Sequence, residues 1–193
     1  MTPTPAEQAR AALAGLAALA SRVADQHAVD IARLAGLYVD TLRGGGTLWF
    51  AGNGGSAADA QHMAAEYVIR YGKDRRALPA VALTTDTSLL TACANDLGFE
   101  AIFARQVEAL VRPGDLLVLH STSGESANLV RAAEAARAKG VRVVALLGKG
   151  GGALRRCVDD SLVIPADETS HIQEMHVAIE HVICAIVEEQ LSI

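Results

Sequence analysis

Short apolar segments alternate with helix-length segments through most of this chain, and that alternation limits the possible folds more than any other feature. The segments with the length and apolarity of strands are residues 47–51, 79–84, 115–120, 141–147 and 161–164. Each is almost continuously apolar, which is typical of a parallel strand buried on both faces. The pattern therefore predicts an α/β fold in which a five-stranded parallel sheet is flanked by helices on both faces. Because no linker or repeat interrupts it, we expect one domain over residues 1–193.

Residues 5–43 precede the first strand and repeat leucine, valine and isoleucine at three- and four-residue spacings, which is typical of helices. We expect two helices here, ended by the glycines at residues 44–46. They could cover the chain's own core or lie at an oligomer interface against a second copy, and the sequence leaves both open. Residues 170–190 show the same periodicity and predict a last helix.

Charge and cysteine content exclude several classes of protein. The formal net charge is −5 and the basic side chains are scattered, so we expect no nucleic-acid partner. Cys93, Cys157 and Cys184 lack metal-binding spacing and are odd in number, which is typical of a reducing compartment. No apolar run reaches the ~18 residues of a membrane span, and the first residues lack the pattern of a signal peptide. We therefore expect a cytoplasmic protein without a membrane partner.

A glycine-rich turn follows the first predicted strand. Its residues, 52–55, are Gly-Asn-Gly-Gly, and glycine lets a backbone turn sharply and approach a ligand closely. Ser56 is a suitable N-cap for the next helix, and Asp59, three residues later, resembles the acidic partner of a capping box. The N–H groups and positive dipole of such a helix start predict a site for a phosphate or a polar sugar.

His62 and Glu66 lie on this helix four residues apart, so they share a face and are separated by roughly 6 Å along the axis. The spacing suits a shared metal ion, or a base beside an electrophile. A solvated histidine–glutamate pair has the same spacing, and both interpretations stay open.

Hydroxyl side chains are concentrated after the third predicted strand, in Ser-Thr-Ser-Gly-Glu-Ser at residues 121–126. Hydroxyls and free N–H groups form a neutral anion site, which suits a phosphate monoester, although such a turn often only caps a helix. The glycine-rich turn lacks the Gly-Lys-Ser/Thr of a P-loop and the glycine spacing of a dinucleotide-binding fingerprint. We therefore do not expect a nucleotide.

The last helix carries further candidate ligands. Gln173 and His181 are eight residues apart, roughly 12 Å along the axis, so by themselves they form a marginal metal site. A solvated face is the simplest interpretation of His176 and Glu180, and a buried histidine is the simplest interpretation of His181 among its apolar neighbours.

Together these motifs resemble the phosphoheptose isomerases, a family of the sugar isomerase (SIS) fold. The residues that carry the resemblance are Gly-Asn-Gly-Gly-Ser-Ala-Ala-Asp-Ala-Gln-His at 52–62, Ala-Asn-Asp at 94–96, Ser-Thr-Ser-Gly at 121–124, Ser-Ala-Asn at 126–128 and Ile-Gln-Glu-Met-His at 172–176. The resemblance extends from Leu13 to Glu189. It implies a single SIS domain and an aldose–ketose isomerase of heptose biosynthesis, which converts sedoheptulose 7-phosphate to D-glycero-D-manno-heptose 7-phosphate through an enediol.

The resemblance also implies a homotetramer with shared active sites and one Zn²⁺ per subunit. The implied zinc ligands are His62, Glu66, Gln173 and His181. Glu66 is implied as the base and His181 as the acid. The implied substrate contacts are Asn53, Gly54, Gly55, Glu66, Asn95, Asp96, Ser121, Thr122, Ser123, Ser126 and Gln173.

Three departures and two alternatives accompany this interpretation. Glu125 replaces a common Asn, Ser170-His171 replaces a frequent Asp-Arg, and residues 147–150 replace a more usual Thr-Gly.

Some proteins that resemble the family bind the bacterial replication initiator without catalysis, but they lose the glutamate and the last-helix histidine that this chain keeps. The other alternative is an SIS isomerase for a different sugar phosphate.

Overall fold

The computed structural model describes residues 2–191, and it confirms the predicted α/β architecture. The helices are α1 Pro5–Arg43, α2 Gly55–Val68, α3 Thr87–Leu97, α4 Ala104–Leu110, α5 Ala127–Ala138 and α6 Thr169–Leu191. The strands are β1 Leu48–Gly52, β2 Ala80–Ala82, β3 Leu116–Ser121, β4 Arg142–Leu147 and β5 Asp160–Val163. They form one parallel sheet in the order β2-β1-β3-β4-β5.

Helices cover both faces of this sheet, as the continuous apolar strands predict. In β3, Leu116 and Val118 belong to a core shared with α1, α2 and α6, while Leu117 and Leu119 belong to a second core shared with α4 and α5. All six residues of β3 are buried. Burial on both faces explains why the strands lack the polar alternation of a sheet with one solvated face.

The predicted pair of N-terminal helices is wrong, because residues 5–43 form the single helix α1. Thr4 and Glu7 form a capping box at its start, and the helix ends at Gly44. Gly15 and Gly36 lie inside it, and isolated glycines lower helix stability without ending a helix. The buried residues of α1 begin at Leu19, where the helix packs along α6.

The predicted N-cap at Ser56 is also wrong. Helix α2 begins at Gly55, and its N-cap is Gly54 with a φ of 56°, a value that disfavours any residue with a Cβ. The sharp turn at Gly54 therefore starts the helix earlier than a serine cap would. Asp59 does not complete a capping box but is buried in the helix, 6% exposed.

The register of the sheet brings the two candidate binding segments together. Gly52 at the end of β1 pairs with His120 near the end of β3, so the glycine-rich turn and residues 121–126 leave the sheet side by side. Ligands of open α/β sheets bind at this carboxyl edge. None of the helices within residues 2–191 combines the length and apolarity that crossing a membrane requires.

Candidate active site

A small polar cavity lies at the carboxyl ends of β1 and β3. Its volume is about 100 Å³, and its lining residues are Asn53, Ser56, His120, Ser121, Thr122, Ser123 and Ser126. Liquid water occupies about 30 Å³ per molecule, so this volume suits one polar group such as a phosphate rather than a whole sugar. We refer to it as the hydroxyl pocket. The structure thus brings together four predicted hydroxyl residues and Asn53.

Local hydrogen bonds hold the walls of the hydroxyl pocket. The amide groups of Asn53 and Asn128 exchange two bonds, with N···O distances of 2.9 and 2.8 Å, which tie the glycine-rich turn to the start of α5. The N–H of Gly124 donates to Ser121 Oγ at 3.0 Å. Ser126 precedes α5 as its N-cap, but its side chain makes no capping bond. Its hydroxyl is therefore available to a ligand.

Glu125, one of the departures from the family pattern, is held away from the pocket. Its Oε1 accepts a hydrogen bond from the N–H of Ala153 at 3.1 Å, in the loop after β4. Gly124 has a φ of 69°, and a Cβ there would overlap the backbone of Gly151. This tight packing directs the Glu125 side chain toward the loop and not toward a bound anion.

Three predicted metal ligands converge where α2 packs against α6. One ligand atom from each of His62, Glu66 and His181 lies within 4.8 Å of the others. The Nε2 atoms of the two histidines are 3.0 Å apart, and His62 Nε2 lies 3.2 Å from Glu66 Oε1. Tyr71 stacks on the ring of His181, with a centroid distance of 5.4 Å. We call these three residues the His/Glu/His cluster.

The His/Glu/His cluster has the chemistry of a zinc site. Zinc binds imidazole nitrogen and carboxylate oxygen at about 2.0–2.2 Å in a tetrahedron, which places neighbouring ligand atoms about 3.3 Å apart. The observed separations of 3.0 and 3.2 Å are close to this value. A metal ion could accept lone pairs from both Nε2 atoms, and the open side of the cluster leaves a position for substrate. The residues therefore fit the implied metal.

Gln173 lies nearer the glycine-rich turn than the other predicted ligands do. Its side chain covers Gly55, where an added Cβ would overlap it, and it also bonds to Asp59. Burial raises the pKa of Asp59, although nearby His120 and the bond from Gln173 oppose the change. A cavity of about 470 Å³ adjoins these side chains and is also lined by Ser170, Glu174 and Val177. Gln173 thus lies beside space that a sugar chain could occupy.

Asn95 and Asp96 do not join the hydroxyl pocket within this chain. They are exposed at the end of α3, where Asn95 Nδ2 donates to Asp96 Oδ1 at 2.7 Å. Asp96 lines a different and mainly apolar cavity of about 410 Å³, together with Cys93 and Arg105. The spacing of a sequence motif does not reveal that neither residue lines the hydroxyl pocket.

The simple interpretations of three residues on α6 are wrong. His176 and Glu180 are buried, with exposures of 0% and 1%, whereas His181 is partly exposed. Burial lowers the pKa of His176 to about 3, and its Nε2 lies 3.2 Å from the carbonyl oxygen of Leu147. Residues 180 and 181 are about 100° apart around a helix, so the orientation of α6 that buries Glu180 leaves His181 toward the surface.

Sequence analysis also missed His120 as part of the site. Its Nε2 lies 3.1 Å from Oε1 of Glu180, and the hydroxyl of Tyr38 donates to the same oxygen at 2.8 Å. The sequence did contain a signal: His120 lies inside an otherwise apolar strand segment. A buried imidazole needs a polar partner, so this position indicates a polar contact within the core.

Comparison with known proteins identifies close relatives. The model of the SIS domain matches residues 13–148. The chain is 55% identical over 161 residues to the phosphoheptose isomerase of Rhodospirillum rubrum, and this alignment covers 83% of this chain and 86% of that protein. It is 52% identical over 162 residues to the one of Akkermansia muciniphila, covering 84% and 86%. The solved phosphoheptose isomerase of Neisseria gonorrhoeae has a TM-score of 0.91 at 40% identity, covering 96% of this chain and 100% of that one.

Proposed function

Because this chain belongs to the phosphoheptose isomerase family of SIS-domain proteins, we infer that it is an aldose–ketose isomerase that converts sedoheptulose 7-phosphate to D-glycero-D-manno-heptose 7-phosphate. The observation that carries this function in the chain itself is the convergence of His62, Glu66 and His181 between α6 and α2, the helix that begins at the hydroxyl pocket. Helix α2 joins the two parts, since Ser56 and His62 are separated by roughly 9 Å along its axis. A phosphate and the reacting carbons of one sugar would occupy these two parts.

The reaction moves a proton between adjacent carbons. We assign Glu66 as the base that removes a proton from C1 of the ketose, while His181 donates a proton to the carbonyl oxygen on C2, which gives the enediol. His181 then takes the proton of the C1 hydroxyl, and Glu66 returns a proton to C2. No atom is gained or lost overall. Glu66 Oε1 and His181 Nε2 face His62, so Oε2 and Nδ1 are left for these transfers.

We propose Zn²⁺ as the cofactor, held by His62, Glu66, Gln173 and His181. A bound zinc ion supplies Lewis acidity that polarises carbonyl and hydroxyl oxygens. The donor set and spacing of the His/Glu/His cluster support this metal. The Gln173 side chain covers Gly55 at the start of α2, and its assignment as the fourth ligand rests on the family resemblance. The side chains themselves orient the two reacting carbons between Glu66 and His181.

We assign the phosphate to the hydroxyl pocket. Asn53, Gly54, Gly55, Ser121, Thr122, Ser123 and Ser126 would contact the substrate there, with Gln173 beside the sugar. Hydroxyls and N–H groups are donors, and the start of α2 adds its positive dipole end, so an anion is stabilised without lysine or arginine.

We further propose that the protein is a cytoplasmic homotetramer of single-domain subunits. Leu97, Phe99 and Leu110 are exposed to 54%, 59% and 46%, which supports a subunit contact near α3 and α4. Such a contact would place Asn95 and Asp96 in the site of a neighbouring subunit. The three cysteines are free, which supports a reducing compartment.

The test compares Glu66→Gln with the wild type on sedoheptulose 7-phosphate, following aldoheptose phosphate by NMR with zinc-loaded protein. We expect product from the wild type and at least a thousandfold lower rate from Glu66→Gln. Glu134→Gln on the exposed face of α5 is the matched control and should retain the full rate. A near-wild-type rate for Glu66→Gln would remove Glu66 as the base. A wild type that binds zinc but yields no product would favour the non-catalytic binding protein or another sugar phosphate.

A further inference from the structure

A buried polar network joins the strand that leads to the hydroxyl pocket with the helix that carries His181. Glu180 Oε1 accepts the Tyr38 hydroxyl at 2.8 Å and lies 3.1 Å from His120 Nε2. His120, Glu180 and Tyr38 are each at most 1% exposed. His120 also stacks on Phe50, with a centroid distance of 6.2 Å and an interplanar angle of 5°. The network therefore connects α1, β1, β3 and α6.

The places of His120 and Glu180 in the chain link the network to the site. His120 directly precedes Ser121 of the hydroxyl pocket, and Glu180 directly precedes His181 of the His/Glu/His cluster. A fixed distance between the two buried side chains thus fixes how the strand end and the helix lie relative to each other.

The hydrogen bonds define one arrangement of the network. Burial and the neighbouring Glu180 raise the pKa of Tyr38 well above its ordinary value, so its hydroxyl keeps the hydrogen that it donates. Where Glu180 Oε1 accepts this hydrogen as a carboxylate oxygen, His120 Nε2 donates to it as well, because two acceptors cannot bond to each other. Nδ1 of His120 is left without a partner among residues 2–191. His120 is itself part of the wall of the hydroxyl pocket.

Stability alone is a weak explanation for this network. Replacing a set of buried polar partners with apolar residues of similar volume is often neutral or stabilising, because desolvation offsets much of the attraction. Glu180 Oε2 and His120 Nδ1 have no partner within the described chain, so each carries a desolvation cost that is not offset. A role in setting geometry accounts for polar groups that an apolar core does not need.

We propose that His120 and Glu180 are positioning residues that hold the hydroxyl pocket in register with the His/Glu/His cluster. The proposal rests on the proposed isomerase function, because it concerns the alignment of a substrate that spans both parts. Misalignment by about 1 Å can lower a rate a hundredfold even when each part still binds its own ligand. The network should therefore affect turnover more than the affinity for phosphate or zinc.

The main test variant is the triple replacement Tyr38→Phe, His120→Phe and Glu180→Leu, which removes every partner at once and leaves no new unpaired group. The conservative variant is Glu180→Gln, whose amide oxygen can accept both hydrogen bonds. The matched control is His176→Phe, since His176 is equally buried, lies 6.2 Å from His120 between ring centroids and is not bonded to Glu180. Urea unfolding establishes the stability of each protein.

The measurements are kcat and KM with sedoheptulose 7-phosphate, and the dissociation constants for inorganic phosphate and for Zn²⁺. We expect the triple variant to fold and to bind phosphate and zinc within threefold of the wild type, while its kcat falls at least tenfold. Glu180→Gln and His176→Phe should keep kcat within threefold.

Several outcomes would overturn the positioning role. They are a folded triple variant with kcat within threefold of the wild type, a fall in phosphate or zinc affinity that matches the fall in kcat, and an equal loss of kcat in His176→Phe. A triple variant that does not fold would also overturn it, because the network would then support the fold and not the site. A wild type without turnover would overturn both the proposed function and this inference. If the wild type is active, the proposed function stands and the variants test the positioning role alone.

Discussion

Arg75 and Glu188 form a buried ion pair in which Arg75 Nε lies 2.8 Å from Glu188 Oε1 and the side chains are 1% and 4% exposed. The Glu188 carboxylate also accepts hydrogen bonds from the N–H groups of Tyr71, Gly72 and Lys73. Arg75 in turn donates to the carbonyl oxygen of Glu66 at 2.7 Å. The pair therefore holds the loop after α2 against α6, and that loop carries the Tyr71 ring that stacks on His181.

Removing one partner of this pair should destabilise the fold. Glu188→Ala leaves the Nε–H of Arg75 and three backbone N–H groups without their acceptor, so we expect the free energy of unfolding to fall by about 3–5 kcal/mol. Urea unfolding measures the change. Glu189→Ala is the neighbouring control, because Glu189 pairs with Lys73 at an exposed site, and it should leave the unfolding midpoint unchanged. Equal effects of the two variants would contradict the importance of burial here.

Stability should also depend on pH through Glu188. Burial raises the pKa of Glu188, but the N–H groups of Tyr71 and Gly72 and the side chain of Arg75 outweigh it, so the pKa lies below the ordinary value of 4.5. A lowered pKa means that the contribution to stability is complete above about pH 4.5 and is lost as the pH falls through the folded-state pKa. We expect the free energy of unfolding of the wild type to fall more steeply than that of Glu188→Gln below pH 4.5. If the free energies of unfolding of the two proteins fall in parallel with pH, Glu188 has the same pKa in the folded and the unfolded state.

Zinc should stabilise the protein through the His/Glu/His cluster. At a free zinc concentration one hundred times the dissociation constant, binding adds about 2.7 kcal/mol to the free energy of unfolding. Thermal unfolding with zinc and with a chelator measures the gain. His62→Ala and His181→Ala should lose it, whereas His27→Ala, on α1 beside Asp30, should keep it. A full zinc effect in His181→Ala would place the ion elsewhere.

Two serines of the hydroxyl pocket should respond differently to alanine. Ser126 makes no capping bond, so Ser126→Ala should leave stability unchanged and raise KM about tenfold or more, since a hydrogen bond to a charged group is worth about 1.5–3 kcal/mol. Ser123 Oγ accepts the N–H of Glu125 at 3.2 Å, so Ser123→Ala should weaken both binding and the local turn. Steady-state kinetics and urea unfolding separate the two effects, with Ser21→Ala on α1 as the surface control. An unchanged KM in both pocket variants would end the phosphate assignment.

Local pattern was sufficient for the sheet and for the hydroxyl pocket. The strands are continuous apolar segments, and polar or glycine-rich residues follow β1 and β3 directly, so a parallel sheet necessarily brings Asn53 and Ser121 to one edge. Helix ends were harder to predict from the sequence. Whether α2 begins at Gly55 or after Ser56 depends on the backbone angle of Gly54, which the residue type permits but does not require.

Residues on long helices were the least predictable part of the site. The spacing of His62 and Glu66 places them on one face of α2, but Glu180 and His181 are adjacent, and their surroundings depend on how α6 crosses α2 and the sheet. Apolar neighbours favoured a buried His181, and Glu180 was interpreted as part of a solvated face. The structure reverses both predictions, because Tyr38 and His120 offer Glu180 partners inside the core.

The amino-acid sequence by itself determined the α/β class and the parallel direction of the strands, since both follow from the pattern of apolar residues. It also determined the chemistry at the strand ends, since this follows from the side-chain types. Only the tertiary structure decided that His181 meets His62, that Asn95 and Asp96 lie apart from the hydroxyl pocket, and that His120 and Glu180 join in the core. The physical reason is that contacts between distant segments depend on the packing angles of whole elements, and the free energies that set those angles are summed over many side chains rather than encoded in any one motif.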